Sequence, residues 1–189
     1  MTFIDEDYDE NMAVSDDIVK SEEKGTLYFF VFSDLKKVYT WDPVLNTKII
    51  KVVEGHDRII DVNVDKERRY LFVADLDDET NKTIVFKYDL YMNFSIPQAP
   101  KIFTRTNTTY QVYEGDTLSG IAVDSVKHLL FIADKTKQQI VKIDFTNATD
   151  PDGTATVLYE GLPELVNLSG IVCDEENEQI IWGNSEKGG

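Results

Sequence analysis

Acidic side chains suited to metal binding are concentrated in one short stretch of the sequence. Asp75, Asp77 and Glu79 alternate there, as carboxylates do at the start of a calcium-binding loop. An EF-hand needs glycine at the sixth place and glutamate at the twelfth, where this sequence has Thr80 and Phe86. We therefore predict a widened hairpin turn between strands and expect no EF-hand calcium site.

The other residue types with metal-binding or catalytic chemistry are not arranged as a site. Residues 150–153, Asp-Pro-Asp-Gly, favour a turn because proline presets φ and glycine accepts a positive φ; calcium there is the open alternative. His56 and His128 fall in predicted turns and are not spaced as a metal pair. The sequence has no nucleophile elbow, P-loop or dinucleotide fingerprint. We predict no catalytic residue, no metal site and no cofactor.

Aromatic residues suited to binding are concentrated in one insert. The stretch from Tyr91 to Asn107 contains two prolines and is predicted to be a protruding loop. The candidate binding residues in and beside it are Tyr91, Phe94, Phe103 and Tyr110. Such side chains suit a protein partner or a small apolar or aromatic ligand. The alternative is that they cap the outer edge of their own repeat.

The elements that must position these residues repeat along the chain. Two apolar runs recur with their anchor residues 10 positions apart, at 60–65 with 70–75, 119–124 with 129–134, and 169–174 with 179–184. A third run recurs at 38–42, 85–89 and 140–144, and a fourth, ending in Glu-Gly, at 51–55, 111–115 and 157–161. Short runs rich in Val, Ile, Phe and Tyr predict strands, and no window shows a helical apolar stripe. Four strands per repeat predict the blade of a β-propeller.

The repeats predict one all-β domain over residues 1–189, a partial β-propeller with three complete blades and part of a fourth. The blades are predicted at 8–55, 56–115, 116–161 and 162–189, with Met12 to Val14 as the first strand. Residues 1–10 are so acidic that a loop or a disordered, frayed terminus is expected. Propellers close with about four to eight blades. The chain is therefore expected to be a fragment of a longer ring.

Aspartates recur in these repeats and could be mistaken for functional groups. They are Asp65, Asp124 and Asp174 before one predicted turn, and Asp42, Asp89 and Asp144 at the end of the third strand. A carboxylate that recurs in every repeat is expected to accept backbone N–H groups in its own turn. We predict a structural role for all six.

The runs at 118–124, 130–134 and 140–144, which read LSGIAVD, LFIAD and IVKID, resemble the repeats of six-bladed, TolB-like propellers. These are the YWTD blades of lipoprotein receptors, the NHL repeats, and the gluconolactonase or senescence-marker-like enzymes. The resemblance implies a six-bladed ring. Residues 11–14 leading into 25–29 are similar, more distantly, to insect ommochrome-binding proteins, which are secreted binders of pigments or small ligands.

The gluconolactonase resemblance implies a metal in the central channel, held by a glutamate, an asparagine and an aspartate. The aspartate position is Ser119 in one repeat and Ser169 in another, and Asp61 stands one place later in a third. Asn63 and Asn167 are near the predicted channel, but no complete ligand set can be assembled. A metal-dependent hydrolase is therefore the alternative function.

Ser119 and Ser169 are candidates for ligand binding instead. Each begins a predicted innermost strand and is followed by a glycine. Side chains this small would leave a passage open to water or a small molecule at the channel mouth.

The charge of the chain excludes some partners. With 35 acidic against 19 basic residues the formal net charge is −16, so repulsion argues against nucleic acid or an anionic membrane. A basic protein or a cation is the better candidate, although solubility alone explains such a charge. The longest apolar stretch, Leu27 to Phe32, is too short to span a bilayer, so no membrane insertion is expected.

Cysteine and sequon usage bear on the compartment. The one cysteine, Cys173, stands where Val64 and Val123 stand in other repeats and is predicted to be a small buried apolar residue. Five glycosylation sequons favour a secreted protein; they begin at Asn81, Asn93, Asn107, Asn147 and Asn167. The first four are predicted in turns or loops. Residues 1–6 are no signal peptide, so a secreted chain would have lost or exchanged its start.

These observations predict a non-catalytic, secreted β-propeller. It would bind a small molecule or a protein partner through one face and the channel mouth. The alternatives are the metal-dependent hydrolase and an intracellular interaction scaffold of the NHL type.

Overall fold

The computed structural model describes residues 19–21, 27–41, 49–92, 103–147 and 153–185. Its strands are β1 (Val19–Ser21), β2 (Leu27–Ser33), β3 (Lys37–Trp41), β4 (Ile50–Glu54), β5 (Ile59–Asp65), β6 (Tyr70–Asp77), β7 (Lys82–Met92), β8 (Phe103–Gly115), β9 (Leu118–Asp124), β10 (Leu129–Asp134), β11 (Gln139–Asp144), β12 (Thr154–Glu160), β13 (Leu168–Asp174) and β14 (Gln179–Asn184). A short 3-10 turn, Pro163–Leu165, precedes β13. Within these ranges no helix is long and apolar enough to cross a membrane.

Consecutive strands pair antiparallel and form four sheets in chain order. The orders are β1-β2-β3-β4, β5-β6-β7-β8, β9-β10-β11-β12 and β13-β14. Three four-stranded sheets followed by a two-stranded one make a partial β-propeller, which confirms the predicted fold class. The strand predicted at Met12 to Val14 and the acidic residues 1–10 lie outside the described residues.

One turn geometry joins many of the hairpins. Four-residue turns follow β5, β6, β9, β10 and β13, and the last residue of each has a positive φ, between 53° and 60°. The aspartate before the turn accepts an N–H three residues on: Asp65 from Arg68, Asp124 from Lys127, and Asp174 from Asn177. These bonds confirm the structural role predicted for the first set of aspartates.

The three aspartates predicted at the end of the third strand, Asp42, Asp89 and Asp144, do not share one role. Asp144 accepts the N–H of Thr146, as a turn residue should. Asp42 lies outside the described residues. Asp89 does not end its strand, because β7 continues to Met92. Its Oδ1 is buried and accepts no hydrogen bond in the described part of the chain, so the turn role predicted for Asp89 is wrong.

The insert extends a hairpin where a loop was predicted over residues 91–107. At its ends β7 and β8 remain paired, with Leu90 opposite Arg105 and Met92 opposite Phe103. These paired ends, residues 90–92 and 103–105, are called the arm. Residues 93–102 lie outside the described part of the chain.

Apolar side chains are buried between consecutive sheets. The three interfaces contain Val38 with Val62, Phe72 with Ile132, and Phe131 with Ile171. The first strand of each later sheet is innermost, since β9 lies against both β5 and β13. These three strands therefore lie nearest the axis of the propeller.

The outward face of the fourth sheet is exposed. Val172 and Ile181 on that face are 57% and 54% exposed. In the third sheet the same register positions are Ala122 and Phe131, which are 1% and 7% exposed because the fourth sheet covers them. A further sheet of a propeller would cover Val172 and Ile181 in the same way.

Cys173 is half-buried at the interface of the third and fourth sheets. Burial, assisted by the negative charges of Asp124 and Glu175, raises the pKa of the thiol to about 11. The thiol is therefore neutral and packs as an apolar side chain, in agreement with the prediction.

Candidate functional site

The innermost strands define two faces of the molecule. The arm face carries the arm and the turns after β5, β9 and β13, because Tyr70, just after one such turn, pairs with Asp89 beside the arm. The opposite face carries the starts of β5, β9 and β13, which pair with the far ends of β6, β10 and β14. The predicted binding residues are divided between the two faces. Tyr91 and Phe103 lie in the arm, whereas Ser119 and Ser169 lie on the opposite face.

A bridged trio of side chains occupies the channel mouth on the arm face. Lys66, Ser125 and Glu175 are the first residues of the turns after β5, β9 and β13. Lys66 Nζ lies 2.5 Å from Glu175 Oε2, and the Ser125 N–H donates to Glu175 Oε1 at 2.6 Å. Burial raises the pKa of the Glu175 carboxyl, but the bonds from Lys66 and Ser125 outweigh it and hold the pKa below its ordinary value. Sequence reasoning missed this trio, although opposite charges stand one place after the recurring aspartates.

On the opposite face, Asp61 connects two of the innermost strands. Its Oδ2 accepts the Ile121 N–H at 2.8 Å, so the carboxylate ties β5 to β9. A Cβ at Gly120 would lie 3.2 Å from Asp61 Oδ2 and 3.5 Å from Gly170 Cα. Gly120 therefore serves close packing of the innermost strands. Asp61 therefore binds the backbone of the next sheet.

The two serines predicted at this end occupy different environments. Ser119 Oγ donates to the Ala133 carbonyl of its own sheet at 3.3 Å. Ser169 is exposed. The structure brings them to the same end of the channel without placing them in a common hydrogen-bond network.

A buried carboxylate, imidazole and phenol form a network beside the connection from β4 to β5. His56 Nδ1 lies 2.8 Å from Asp75 Oδ2, and His56 Nε2 lies 3.0 Å from Tyr88 Oη. The three residues are 6%, 7% and 3% exposed, in the order His56, Asp75, Tyr88. Burial raises the pKa of the Asp75 carboxyl, but the His56 bond and the amides of Arg58 and Asp57 hold it below its ordinary value. The network joins the connection from β4 to β5 with strands β6 and β7.

The acidic stretch that begins at Asp75 forms a hairpin, as predicted. Asp77 Oδ1 accepts the N–H groups of Glu79 and Thr80 at 2.9 and 2.8 Å. No three acidic, histidine or cysteine side chains in the described ranges are placed to hold a metal ion. Of the Asp-Pro-Asp-Gly turn, only Gly153 is described.

Lys87 lies buried at the seam between the second and third sheets, at the base of the arm. Its Nζ is 4.1 Å from the Tyr70 ring centre, 4.6 Å from that of Tyr110 and 5.7 Å from that of Phe145. It is also 3.7 Å from Asp89 Oδ1. Tyr110 thus covers the lysine, which agrees with the alternative interpretation that it caps its blade. Phe94 lies outside the described residues, and the side chains of Tyr91 and Phe103 are not described.

The sequon asparagines differ in accessibility. Asn81 and Asn147 are exposed, and Asn81 ends a turn with φ of 54°. Asn167 is half-buried with φ of 57°. Asn107 lies within β8, so its predicted placement in a loop is wrong, and Asn93 is outside the described residues.

Solved structures share this fold at low sequence identity. The chain matches a chain of a nidogen–laminin complex with a TM-score of 0.56 and 14% identity, covering 82% of this chain and 52% of that one. It matches an auxiliary nutrient binding protein from Bacteroides thetaiotaomicron with a TM-score of 0.54 and 12% identity, covering 83% of this chain and 43% of that one. The chain therefore spans about half the length of these β-propeller structures.

Sequence comparison adds no family to this structural likeness. No protein-family model matches the chain, and no curated protein matches it. At identities of 12–14% the likeness to these structures shows the fold alone.

Proposed function

We propose that this chain belongs to a secreted, non-catalytic β-propeller that binds a protein partner on its arm face. The observation that carries the proposal is the arm itself. β6 begins at Tyr70, which pairs with Asp89, and β7 and β8 continue as a pair beyond that point. Propellers carry function in segments that project from one face of a rigid frame. The arm is the largest departure from the repeat, and its sequence is rich in aromatic residues, which suit protein interfaces.

Two structural neighbours support a binding role by the names they carry. One is a complex of nidogen with laminin, and the other is a nutrient binding protein. We propose a binding role for this chain as well, but not that it binds laminin or a nutrient. It does not depend on whether the ring has six blades or on which repeat type it represents.

A protein partner is favoured over a small molecule in the channel. On the arm face, Lys66 and Glu175 bridge the mouth. On the other face, Asp61 binds the backbone of β9. No contact of the described residues favours the hydrolase or the intracellular scaffold.

Secretion is part of the proposal and rests on the sequons. Asn81 and Asn147 are exposed, so a glycan on either would project into solvent. Glycosidase treatment of protein purified from its source should lower its mass, and Asn81→Gln and Asn147→Gln should each remove part of that shift. An unchanged mass would count against secretion and would leave the arm proposal standing.

Site-specific photo-crosslinking tests the arm face. A benzophenone amino acid at position 103 in the arm should give one adduct of defined mass with an extracellular protein. The same group at position 35 serves as the control, because Leu35 is 41% exposed in the β2–β3 turn on the opposite face. Adducts at position 35 but none at position 103 would contradict the proposal.

A further inference from the structure

The arm is joined to its sheet through an irregular segment of β8. Tyr88 pairs with Thr109 and Leu90 pairs with Arg105, so a step of two residues in β7 matches a step of four in β8. Residues 106–108 therefore form a bulge, which is where a paired strand bends. On the β7 side Leu90 is buried, and its N–H donates to the Arg69 carbonyl at 2.8 Å. Leu90 is thus held in place on β7, directly opposite the bend in β8.

Lys87 lies directly beneath this bend and contacts both strands. Lys87 pairs in register with Tyr110, which is the second residue after the bulge. The Lys87 Nζ is 4.6 Å from the centre of the Tyr110 ring. On its own strand it faces Asp89 at 3.7 Å. Its Nζ also lies over the ring of Tyr70, and 5.7 Å from that of Phe145 at the end of the third sheet. One cation therefore links the base of the arm to the seam between two sheets.

Lys87 is held well by the aromatic rings around it, whereas its acidic neighbour Asp89 lacks a hydrogen bond at one oxygen. Lys87 is 3% exposed, and a desolvated ammonium is attracted by the faces of aromatic rings. Asp89 Oδ1 is buried yet accepts no hydrogen bond in the described part of the chain. A buried oxygen without a hydrogen bond is a costly feature in an otherwise satisfied interface. The group therefore holds the base of the arm, while one buried carboxylate oxygen lacks a hydrogen bond within the described residues.

We propose that Lys87 is a latch that holds the arm in one position and couples that position to the seam of the second and third sheets. Because Lys87 belongs to β7 and its ammonium group contacts Tyr110 of β8 and Tyr70 of β6, loss of its charge loosens the pairing of β7 with β8 at the bulge. Movement of the arm by a partner must in turn disturb the Lys87 contacts. This inference rests on the proposed binding role of the arm, but its test needs no partner.

Hydrogen–deuterium exchange of the 189-residue chain tests the latch. In Lys87→Met the amides of the arm should exchange about 10-fold faster, while those of β9 and β10 keep their rates. Lys142→Met is the matched control, because Lys142 stands opposite Phe131 as Lys87 stands opposite Phe72. The control should leave the exchange of the arm unchanged.

The outcomes separate a latch from a merely structural lysine. Unchanged arm exchange in a folded Lys87→Met protein overturns the proposal. If amide exchange rises over the whole Lys87→Met protein, the Asp89→Asn variant distinguishes a latch from general destabilisation. This variant keeps the side-chain shape and removes the charge that faces Lys87. A rise confined to the arm in Asp89→Asn supports the latch, and no rise overturns it. Failure to find a partner at position 103 would affect the proposed function alone.

Discussion

Lys66 and Glu175 form an ion pair at the channel mouth although 109 residues separate them, with Nζ 2.5 Å from Oε2. The pair joins the second sheet to the fourth across the turn of the third. Ser125 in that third turn donates its N–H to the same carboxylate. Only the curvature of the propeller brings these three turns together.

Replacing Glu175 with glutamine should weaken the fold modestly. Glutamine keeps an oxygen for the Ser125 N–H but removes the charge that faces Lys66. Because the two side chains are 23% and 33% exposed, we expect a loss of about 1 kcal/mol in the free energy of unfolding. Urea unfolding measures it. Glu164→Gln, at an exposed position, is the control, and equal losses in both variants would show that the bridge contributes nothing.

Asp75 should make stability depend on acid pH. Burial alone would raise the pKa of its carboxyl, but His56 and two backbone amides lower it below the ordinary value. A carboxyl whose folded-state pKa is lowered stabilises the fold fully above its unfolded pKa of about 4 and loses that contribution as pH falls through the folded pKa. Asp75→Asn should cost about 2 kcal/mol at pH 7, since it breaks a buried charged hydrogen bond.

The same variant gives the pH test. The difference between wild type and Asp75→Asn in free energy of unfolding should shrink as pH falls below about 4, the unfolded pKa of an aspartate. Urea unfolding at a series of pH values from neutral to acid measures this difference. A difference that stays constant over the whole range would mean that the Asp75 charge does not stabilise the fold.

Replacing glycine with alanine should destabilise the fold at Gly120 but not at Gly170, although the two glycines lie on adjacent innermost strands. In Gly120→Ala the new Cβ would lie 3.2 Å from Asp61 Oδ2, which is itself held by the Ile121 amide. The crowding should cost about 1–2 kcal/mol. Gly170→Ala is the matched control, because nothing lies within 4 Å of its Cβ. Thermal or urea unfolding compares them, and a loss in Gly170→Ala as large as in Gly120→Ala would refute the close-packing role of Gly120.

Enzymatic turnover should be absent. Purified protein is expected to hydrolyse neither lactones nor simple esters, with or without added divalent metal. The physical reason is that Asp61 is bound to the next strand and that Ser119 bonds a backbone carbonyl. Turnover that requires a divalent metal and saturates with substrate would replace the binding proposal with the hydrolase alternative.

The fold could be predicted because its signals are local. The aspartate before each four-residue turn determines where a hairpin reverses, and Asp65, Asp124 and Asp174 all do so in the structure. Strand order follows, since consecutive antiparallel strands pair. The ends of the insert, residues 91–92 and 103–107, were misjudged because the two prolines of the insert suggested a loop throughout. The run of threonines at 104, 106, 108 and 109 favours a strand, as β-branched residues do.

The site could be predicted much less well, because its contacts are long-range. Nothing near Lys66 in the sequence indicates Glu175, and nothing near Lys87 indicates that Phe145 approaches its ammonium group. The split of the candidates between two faces also depends on register. Ser119 lies beside the end of β10, whereas Tyr91 lies beyond the start of β6.

The central claim is that the arm face binds a protein, and shortening the arm tests it most directly. Residues 91–104 are replaced by an Asn-Gly turn, which suits a two-residue hairpin and leaves the body of the second sheet paired. The partner identified by crosslinking at position 103 is then titrated calorimetrically against wild type and the shortened chain. We expect the Kd to rise at least about 10-fold, with unchanged urea unfolding of the sheets. An unchanged Kd in a folded, shortened chain would contradict the account.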